Sequence, residues 1–373
     1  MITYSSHNSL YSIIAEEILE NKSISVARYM ELCNYDEHYG FYQQKKILGK
    51  AGHFITAPEI NQVFGEIIGA WFINVWMNKG SYQDCILLEI GAGAGTLMSD
   101  ILRCAERICS NFLQSITVAI MDINPFLIQQ QQTALRKYEP VWINNLDELP
   151  KKPIFVIANE FFDVLPIMQF IRIENQWEEI RVTIKNNNLA FVQEHVHPQV
   201  ITEDSLQPSY MSVFHSAELS DICHENGIYE VNIPARNIMR KICQHILNYD
   251  GHLVNIDYGY DRKDKRFYTE WRSTLQTVRH HQYTNPLETP GMSDMSAHVD
   301  FGALAAIAKE GCLQALPLVT QRDFLLSCGI EERIKILQHN NPHKAQALQE
   351  DLIRLTHPKY MGNLFKVMLV ERK

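Results

Sequence analysis

The sequence predicts an α/β fold built on a doubly wound, mostly parallel sheet, with an N-terminal helical cap and inserted hairpins and helices. Three observations predict it. Between residues 85 and 158 short apolar runs alternate with amphipathic stretches, the pattern of parallel strands joined by right-handed crossovers. The first run ends in Gly91-Ala92-Gly93-Ala94-Gly95, a tight turn into a helix. The alternation is interrupted at about 165–250 and 259–300, where turn residues and polar stretches mark insertions. The expected organisation is a cap or lid over residues 1–80 and a core over 81–373 that carries both insertions.

In chain order, residues 9–33 read as helical, with Ile13, Ile14, Ile18 and Leu19 on one face and Ser25 placed to cap a following turn. Gly40, Gly49 and Gly52 mark a loop. Pro58 opens a second helix, whose apolar pairs Val63/Phe64, Ile67/Ile68, Trp71/Phe72 and Val75/Trp76 recur every four residues until Gly80 stops it. Cys85–Ile90 is a buried strand, after which Leu97, Met98, Ile101, Leu102 and Ala105 follow at helical spacing. Ile116–Met121 is the next strand, 125–137 the next helix, and Val141–Ile143 and Ile154–Ala158 are two further strands. Strand-like runs in 167–194 flank Glu174-Asn175-Gln176 and Lys185–Asn188, which is hairpin chemistry. Gly251–Ile256 returns to a buried strand, 259–299 is a long polar connection, Phe301–Gly311 is helical, and Leu364–Val370 is a last strand.

Hydrophobic residues make up 46% and charged residues 21% of the 373, which places the chain among soluble globular enzymes. The net charge of −9 lacks the basic footprint that nucleic acid needs, and it suits a partner presenting basic side chains. None of the eight cysteines forms a C-x-x-C pair, and the nearest two, Cys104 and Cys109, fall in a helical pattern, so reduced thiols are expected. The fifteen histidines show no H-E-x-x-H or other metal spacing, and no metal is expected. No signal or transit peptide is evident, and the most apolar helical stretch, Phe64–Met77, is shorter than the ~18 residues of a membrane span. The expectation is a cytoplasmic protein without stable membrane insertion, its oligomeric state undetermined.

Glu89-Ile90-Gly91-Ala92-Gly93-Ala94-Gly95 joins strand to helix, where glycines let the backbone approach a ligand whose carboxylate or phosphate faces the helix N-terminus. A dinucleotide fingerprint, G-x-G-x-x-G, needs its third glycine at position 96, where Thr96 stands, so a nicotinamide dehydrogenase is disfavoured. An acidic residue two positions before the first glycine, with G-x-G-x-G, is the first motif of class I methyltransferases, a Rossmann-like group that uses S-adenosyl-L-methionine. Asp122, ending the next strand, can accept two hydrogen bonds from a ribose diol; it or Asn124 can also cap the helix that begins at Pro125. Asn159-Glu160-Phe161-Phe162-Asp163 follows the fourth strand, where ligands of this architecture sit. Asn159 matches the start of the N/D-P-P-Y/F segment of enzymes that methylate neutral planar nitrogens, but Glu160 and Phe161 replace the prolines. Glu160 and Asp163 instead suit a cation, since a guanidinium offers a rigid fork that a carboxylate grips bidentately. The bland alternative is a helix cap with two core phenylalanines. Gly52-His53-Phe54-Ile55-Thr56-Ala57-Pro58-Glu59 is either a cap made by Thr56 or a lid over the cofactor.

These pieces, with Tyr39-Gly40-Phe41-Tyr42, Asn159 to Pro166, Ile256-Asp257-Tyr258-Gly259 and Ala297-His298-Val299-Asp300-Phe301, run in one order over nearly the whole chain. In that order they resemble the MidA-like methyltransferase family, whose mitochondrial member is a complex I assembly factor that dimethylates an arginine of a complex I core subunit. The resemblance implies S-adenosyl-L-methionine as cofactor and an arginine-bearing protein, such as a complex I core subunit, as substrate. The expected cofactor contacts are Thr56, Glu59, Glu89, Gly91, Gly93, Gly95, Thr96, Asp122, Asn144 and Asn159. Glu160 is expected as the main guanidinium clamp, Asp163 as second carboxylate, Phe161 and Phe162 as walls excluding water, and His298 with Asp300 as a proton relay. The family usually has an acidic residue where His53 stands, and Pro and Arg where Ala92 and Ala94 stand. Two rivals share the fold: a cofactor-binding assembly factor without catalysis, opposed by the retained carboxylates, and a small-molecule methyltransferase, opposed by the long insertions.

Overall fold

A computed structural model describes residues 9–43, 56–174, 176–195, 227–261, 272–279 and 282–373. Gly49, Gly52, His53, Phe54 and Ile55 of the expected loop and lid lie outside them. The chain divides into two compact units. One takes Met1–Gln44, Val164–Asn237 and Tyr260–His298; the other takes Lys45–Asp163, Ile238–Gly259 and Val299–Lys373. The expected boundaries shift in two places. Residues 45–80 go with the core and not with the cap, because the helix Val63–Asn78 buries Phe64, Ile68 and Phe72 in the core cluster of the sheet. The first insertion ends near residue 237 and not near 250, because the later part of helix Ile233–Tyr249 leads into the next core strand.

In the core unit the large sheet runs in the order Leu313–Ala315, Phe365–Arg372, Gly251–Tyr260, Ile154–Asn159, Cys85–Ile90, Ile116–Met121, Val141–Ile143. The five strands from Gly251–Tyr260 to Val141–Ile143 are parallel, and Phe365–Arg372 is antiparallel to both its neighbours. From Cys85–Ile90 the chain winds one way through two strands, then returns to the opposite side for Ile154–Asn159 and Gly251–Tyr260. That reversal makes a topological switch point between Cys85–Ile90 and Ile154–Asn159, the place where open α/β sheets take their ligands. All residues of these two strands are buried, which is why each reads as an apolar run, broken only by Glu89 in the first and ended by Asn159 in the second.

Several local expectations change. The chain from Thr56 forms one short turn, Ala57–Ile60, and the long helix starts afresh at Val63, whose amide is taken by Asn61 Oδ1 at 3.0 Å. The helix expected over 125–137 is Pro125–Ala134 followed by a tighter turn, Arg136–Tyr138; Asn124 caps it by accepting from the amides of Phe126 and Leu127. The helices Gln321–Ser327, Ile330–Asn340 and Ala345–Thr356 had no counterpart in the sequence reading; they bury Phe324, Leu325, Ile330, Ile334, Leu352 and Leu355 in the same core cluster. No helix among the described residues is long and apolar enough to cross a membrane.

The other unit is an antiparallel sheet in the order Ile24–Ser25, Gln176–Lys185, Met168–Ile173, Ile228–Val231, with Asn188–His195 also on Gln176–Lys185. Asn186 and Asn187, at φ +50° and +64°, make the two-residue turn between the last hairpin pair, a backbone twist that asparagine tolerates. Ser25 Oγ caps Val26–Tyr35 through the Arg28 amide at 3.0 Å, as its position predicts. Ile14 and Ile18 of helix Ser9–Asn21 bury in one cluster with Val26, Ile180 and Val182. A small sheet, Gln282–Thr284, Gln276–Arg279 and Asp294–Ser296, occupies part of the stretch expected as a polar connection.

Candidate active site

The buried strand Cys85–Ile90 delivers the chain into a loop where Gly91, Gly93 and Gly95 have φ of +71°, +52° and +82°. Side chains disfavour that region, so the spacing of the three glycines is a backbone requirement. A Cβ on Gly91 would stand 2.8 Å from Cδ2 of Phe161, so the first glycine also makes room for that ring. Gly95 is the N-cap of the 13-residue helix Thr96–Ile108 and brings no side-chain cap. The first amides of the helix, at the positive end of its dipole, therefore have no side-chain cap at that position. One of them, on Met98, donates to the Glu89 carboxylate. Glu89 is 2% exposed and its Oε2 has no hydrogen-bond partner. Burial pushes its pKa up to about 8, the Met98 amide opposing and the charges of Asp122 and Asp100 adding to it.

Asp122 leaves the end of Ile116–Met121. Its Oδ1 accepts from the Asn124 amide at 3.0 Å and its Oδ2 from Gln131 Nε2 at 2.7 Å. Burial raises its pKa against these donors. The Ile123 amide is a third donor to Asp122, and since a carboxylate has about four acceptor sites, capacity for a ribose hydroxyl remains. Of the two sequence readings of this segment, the cap is Asn124, which leaves Asp122 past the strand end for the other. Asn144 follows Val141–Ile143, exposed, its amide donating to Glu148 Oε1 at 3.2 Å. Gln131 was missed. It stands in a run of four glutamines, yet Leu127, Gln131 and Leu135 share one helix face, and that spacing marked it as the inward one.

Asn159 ends the strand Ile154–Asn159 at 8% exposure; its Nδ2 donates to Glu160 Oε1 at 3.2 Å and its Oδ1 has no partner. Glu160 leaves the strand at φ +51°, a strained value for a residue with a side chain. Its amide donates to the Ile256 carbonyl at 2.9 Å, and its Oε1 also accepts from the Ala57 amide at 3.2 Å. The clamp expected at Glu160 is thus tied to the first turn of the expected lid. Asp257, wholly buried, collects three amides: Oδ2 accepts from Phe162 at 3.0 Å and Asp163 at 3.3 Å, and Oδ1 from Tyr258 at 2.9 Å. Burial holds Asp257 well above the usual carboxylate range, with the charges of Asp163 and Glu160 adding to it. Three carboxylates therefore gather here: Glu160 and Asp163 past the end of Ile154–Asn159, and Asp257 near the end of its neighbour Gly251–Tyr260. In the sequence Asp257 is a lone acid directly after the apolar run Gly251–Ile256, and that is the one local signal for it.

The two phenylalanines separate. Phe162 is 1% exposed and belongs to the core, so it does not form an open wall. Phe161 is half-buried, meets Phe162 edge-on at 5.4 Å and lies against Gly91. Thr56 occupies the N-cap position of Ala57–Ile60 but makes no side-chain cap bond. Glu59 has a buried Oε2 without a partner, and burial raises its pKa. Thr96 is the first residue of its helix. Asp300 Oδ1 accepts from the Ala303 amide at 2.9 Å, a helix cap, and in the other unit the His298 amide donates to Thr274 Oγ1 at 2.9 Å. No group of three or more His, Cys, Asp or Glu among the described residues could hold a metal ion.

Residues 67–318 match the family model for S-adenosyl-L-methionine-dependent methyltransferases. The chain is similar to the mitochondrial protein arginine methyltransferase NDUFAF7 of Danio rerio, at 31% identity over 98% of this chain and 87% of that one. It is similar to the Homo sapiens protein of the same name at 30% identity over 92% and 78%. Among solved structures, a Burkholderia thailandensis protein bound to S-adenosyl-homocysteine superposes with a TM-score of 0.80 at 23% identity, over 98% of this chain and 92% of that one, a likeness of fold. The relatives are named as mitochondrial proteins, and the expected cytoplasmic location does not stand against them.

Proposed function

Because this chain belongs to the family of S-adenosyl-L-methionine-dependent methyltransferases, we propose that it methylates a guanidinium nitrogen of an arginine in a protein, a core subunit of respiratory complex I being the substrate. The observation that carries the reading is the set of carboxylates at the ends of two neighbouring strands: Glu160 and Asp163 after Ile154–Asn159, and Asp257, near the end of Gly251–Tyr260, which accepts from the Phe162 and Asp163 amides. An arginine side chain brings the positive charge and planar fork of donors that such a set would grip. The names of the relatives point the same way, and a net charge of −9 suits a basic partner.

The residues present fit the cofactor. S-adenosyl-L-methionine presents donors along its length: an ammonium, a ribose diol and an adenine amino group. Buried acceptor atoms without partners, Glu89 Oε2 and Asn159 Oδ1, lie near the ends of two adjacent strands, with Asp122 and Asn144 past the next two. When bound, the cofactor supplies an electrophilic methyl group on a sulfonium sulfur. The protein then holds donor and acceptor in line, which is where most of its contribution lies. Glu160, oriented by the Ala57 amide and the Asn159 side chain, grips the guanidinium, and Asp163 is the second carboxylate. Phe161 shields one side from water. The guanidinium must shed a proton around the transfer, and His298 and Asp300 are the proposed carriers beyond the carboxylates.

The test is a methylation assay on complex I core subunits with labelled cofactor, read by mass spectrometry. Addition of one or two methyl groups to an arginine is expected. Transfer only to small molecules, or cofactor binding with no transfer to any arginine, sinks the reading.

A further inference from the structure

We propose that Gln131 is a positioning residue that ties the glycine loop to the Asp122 carboxylate and thereby sets affinity for the ribose diol of the cofactor. Gln131 lies in the helix Pro125–Ala134 and is 0% exposed. Its Nε2 donates to the Gly93 carbonyl at 2.9 Å and to Asp122 Oδ2 at 2.7 Å; its Oε1 accepts from Trp142 Nε1 at 3.0 Å. One amide thus joins the loop after the first parallel strand, the acid after the second and a ring on the third.

The direction of the amide is determined. Flipped, it would set Oε1 against two acceptors, the Gly93 carbonyl and Asp122 Oδ2, and Nε2 against the indole N–H, a donor. Trp142, which only donates, therefore selects the orientation that serves the other two. The Gly93 carbonyl and the Ala94 N–H share one planar trans peptide and point opposite ways. Holding the carbonyl toward Gln131 aims the Ala94 N–H away from it. Asp122 is held at both oxygens, by Gln131 on Oδ2 and by the Asn124 amide on Oδ1, so the plane of the carboxylate is set before any ligand arrives. A preorganised acceptor loses less freedom on binding, so the contribution of Gln131 appears as cofactor affinity. The proposal rests on the cofactor of the family and not on arginine as acceptor; failure to methylate arginine leaves it untouched.

The test is calorimetry with S-adenosyl-homocysteine and its 2′,3′-dideoxy analogue, on the wild type, Gln131→Leu and Trp142→Phe. The wild type is expected to prefer the diol-bearing ligand. Gln131→Leu is expected to bind S-adenosyl-homocysteine roughly 10- to 100-fold more weakly and to lose most of that preference, because a charge-assisted contact behind the carboxylate is gone. Trp142→Phe, which keeps Gln131 but releases its orientation, is expected to lose roughly 3- to 10-fold for S-adenosyl-homocysteine and little for the analogue. An equal loss for both ligands in Gln131→Leu overturns the proposal, because it marks a purely structural residue. Wild-type affinity in Gln131→Leu overturns it too. If Gln131→Leu does not fold, Trp142→Phe decides, and an unchanged preference for the diol there overturns the proposal.

Discussion

At the ends of Cys85–Ile90 and Ile116–Met121 the chain offers glycine backbone, a helix N-terminus and two acids on separate strands, one of them braced by a neutral amide; at the ends of Ile154–Asn159 and Gly251–Tyr260 it offers three carboxylates and a strained, side-chain-bearing residue. On the proposed reading the first region works by shape, since its ligand would come close to backbone. The second would work by charge, since burial, with the charges of Asp163 and Glu160, holds the Asp257 carboxyl well above the usual range. Shape tolerates no added atoms, whereas charge tolerates no neutral isostere. Two regions on either side of one switch point should therefore fail under opposite kinds of substitution.

The largest effect should come from adding bulk to the shape-based side. Gly93→Val is expected to weaken S-adenosyl-homocysteine binding by roughly 100-fold or more, because a branched side chain at φ +52° both strains the loop and fills the approach to it. A melting temperature lowered by only a few degrees should accompany it, as one loop residue is worth about 1–3 kcal/mol. Retained affinity would remove the loop from the site.

The next effect tests charge at constant shape. Glu160→Gln keeps an acceptor for the Ala57 amide and loses the charge. Its kcat for arginine methylation should fall roughly 10- to 100-fold, from a charge-assisted contact of about 1.5–3 kcal/mol, while cofactor affinity stays near wild type. A normal rate would take Glu160 out of catalysis; a large loss of cofactor affinity would move it to the other region and blur the comparison itself.

The smallest effect probes the one strong charge on the shape-based side. On the proposed reading Glu89, its pKa pushed up to about 8 by burial, would ionise to receive the cofactor ammonium. S-adenosyl-homocysteine affinity should therefore rise roughly fivefold from pH 7 to pH 8, following the ionised fraction, and Glu89→Gln should flatten that rise. In the ligand-free protein the sign reverses. The folded state keeps a proton that the unfolded state has released above its lower pKa, so raising the pH from 6.5 to 8 should lower the melting temperature. His252, lowered to about 4 by burial, contributes in the opposite direction but below that window. A melting temperature that climbs from pH 6.5 to 8 would contradict the account of Glu89.

The shape-based region was largely legible in the sequence because its chemistry is local. The glycine spacing, Asp122 and the Asn124 cap each act within a few residues of chain. The same holds for the Asn186-Asn187 turn. What escaped depends on partners far along the chain. Thr56 has the composition of a cap, but the Ala57 amide is met by Glu160, a hundred residues on, and not by the threonine. Phe162 looked like a wall until its burial placed it in the core, while Phe161 found its place against Gly91. Gln131 and Asp257 are buried polar residues whose purpose shows only when the three groups each one bonds are brought together. The helices between Gln321 and Thr356 had an apolar face to read, and Ile330 with Ile334 was its plainest pair.

The placement of Phe365–Arg372 has a consequence for the life of the nascent chain. It slots antiparallel between Gly251–Tyr260 and Leu313–Ala315, and it can do so only after the helices from Phe301 to Leu364 have been synthesised. Until then the backbone from His252 to Tyr258, which carries the apolar Val254 and Ile256, is an unpaired edge, the kind of surface on which strands from other chains align. A polypeptide cut short before Phe365 would keep its glycine loop and its carboxylates and still be removed from use, by precipitation or by chaperones, before either could act.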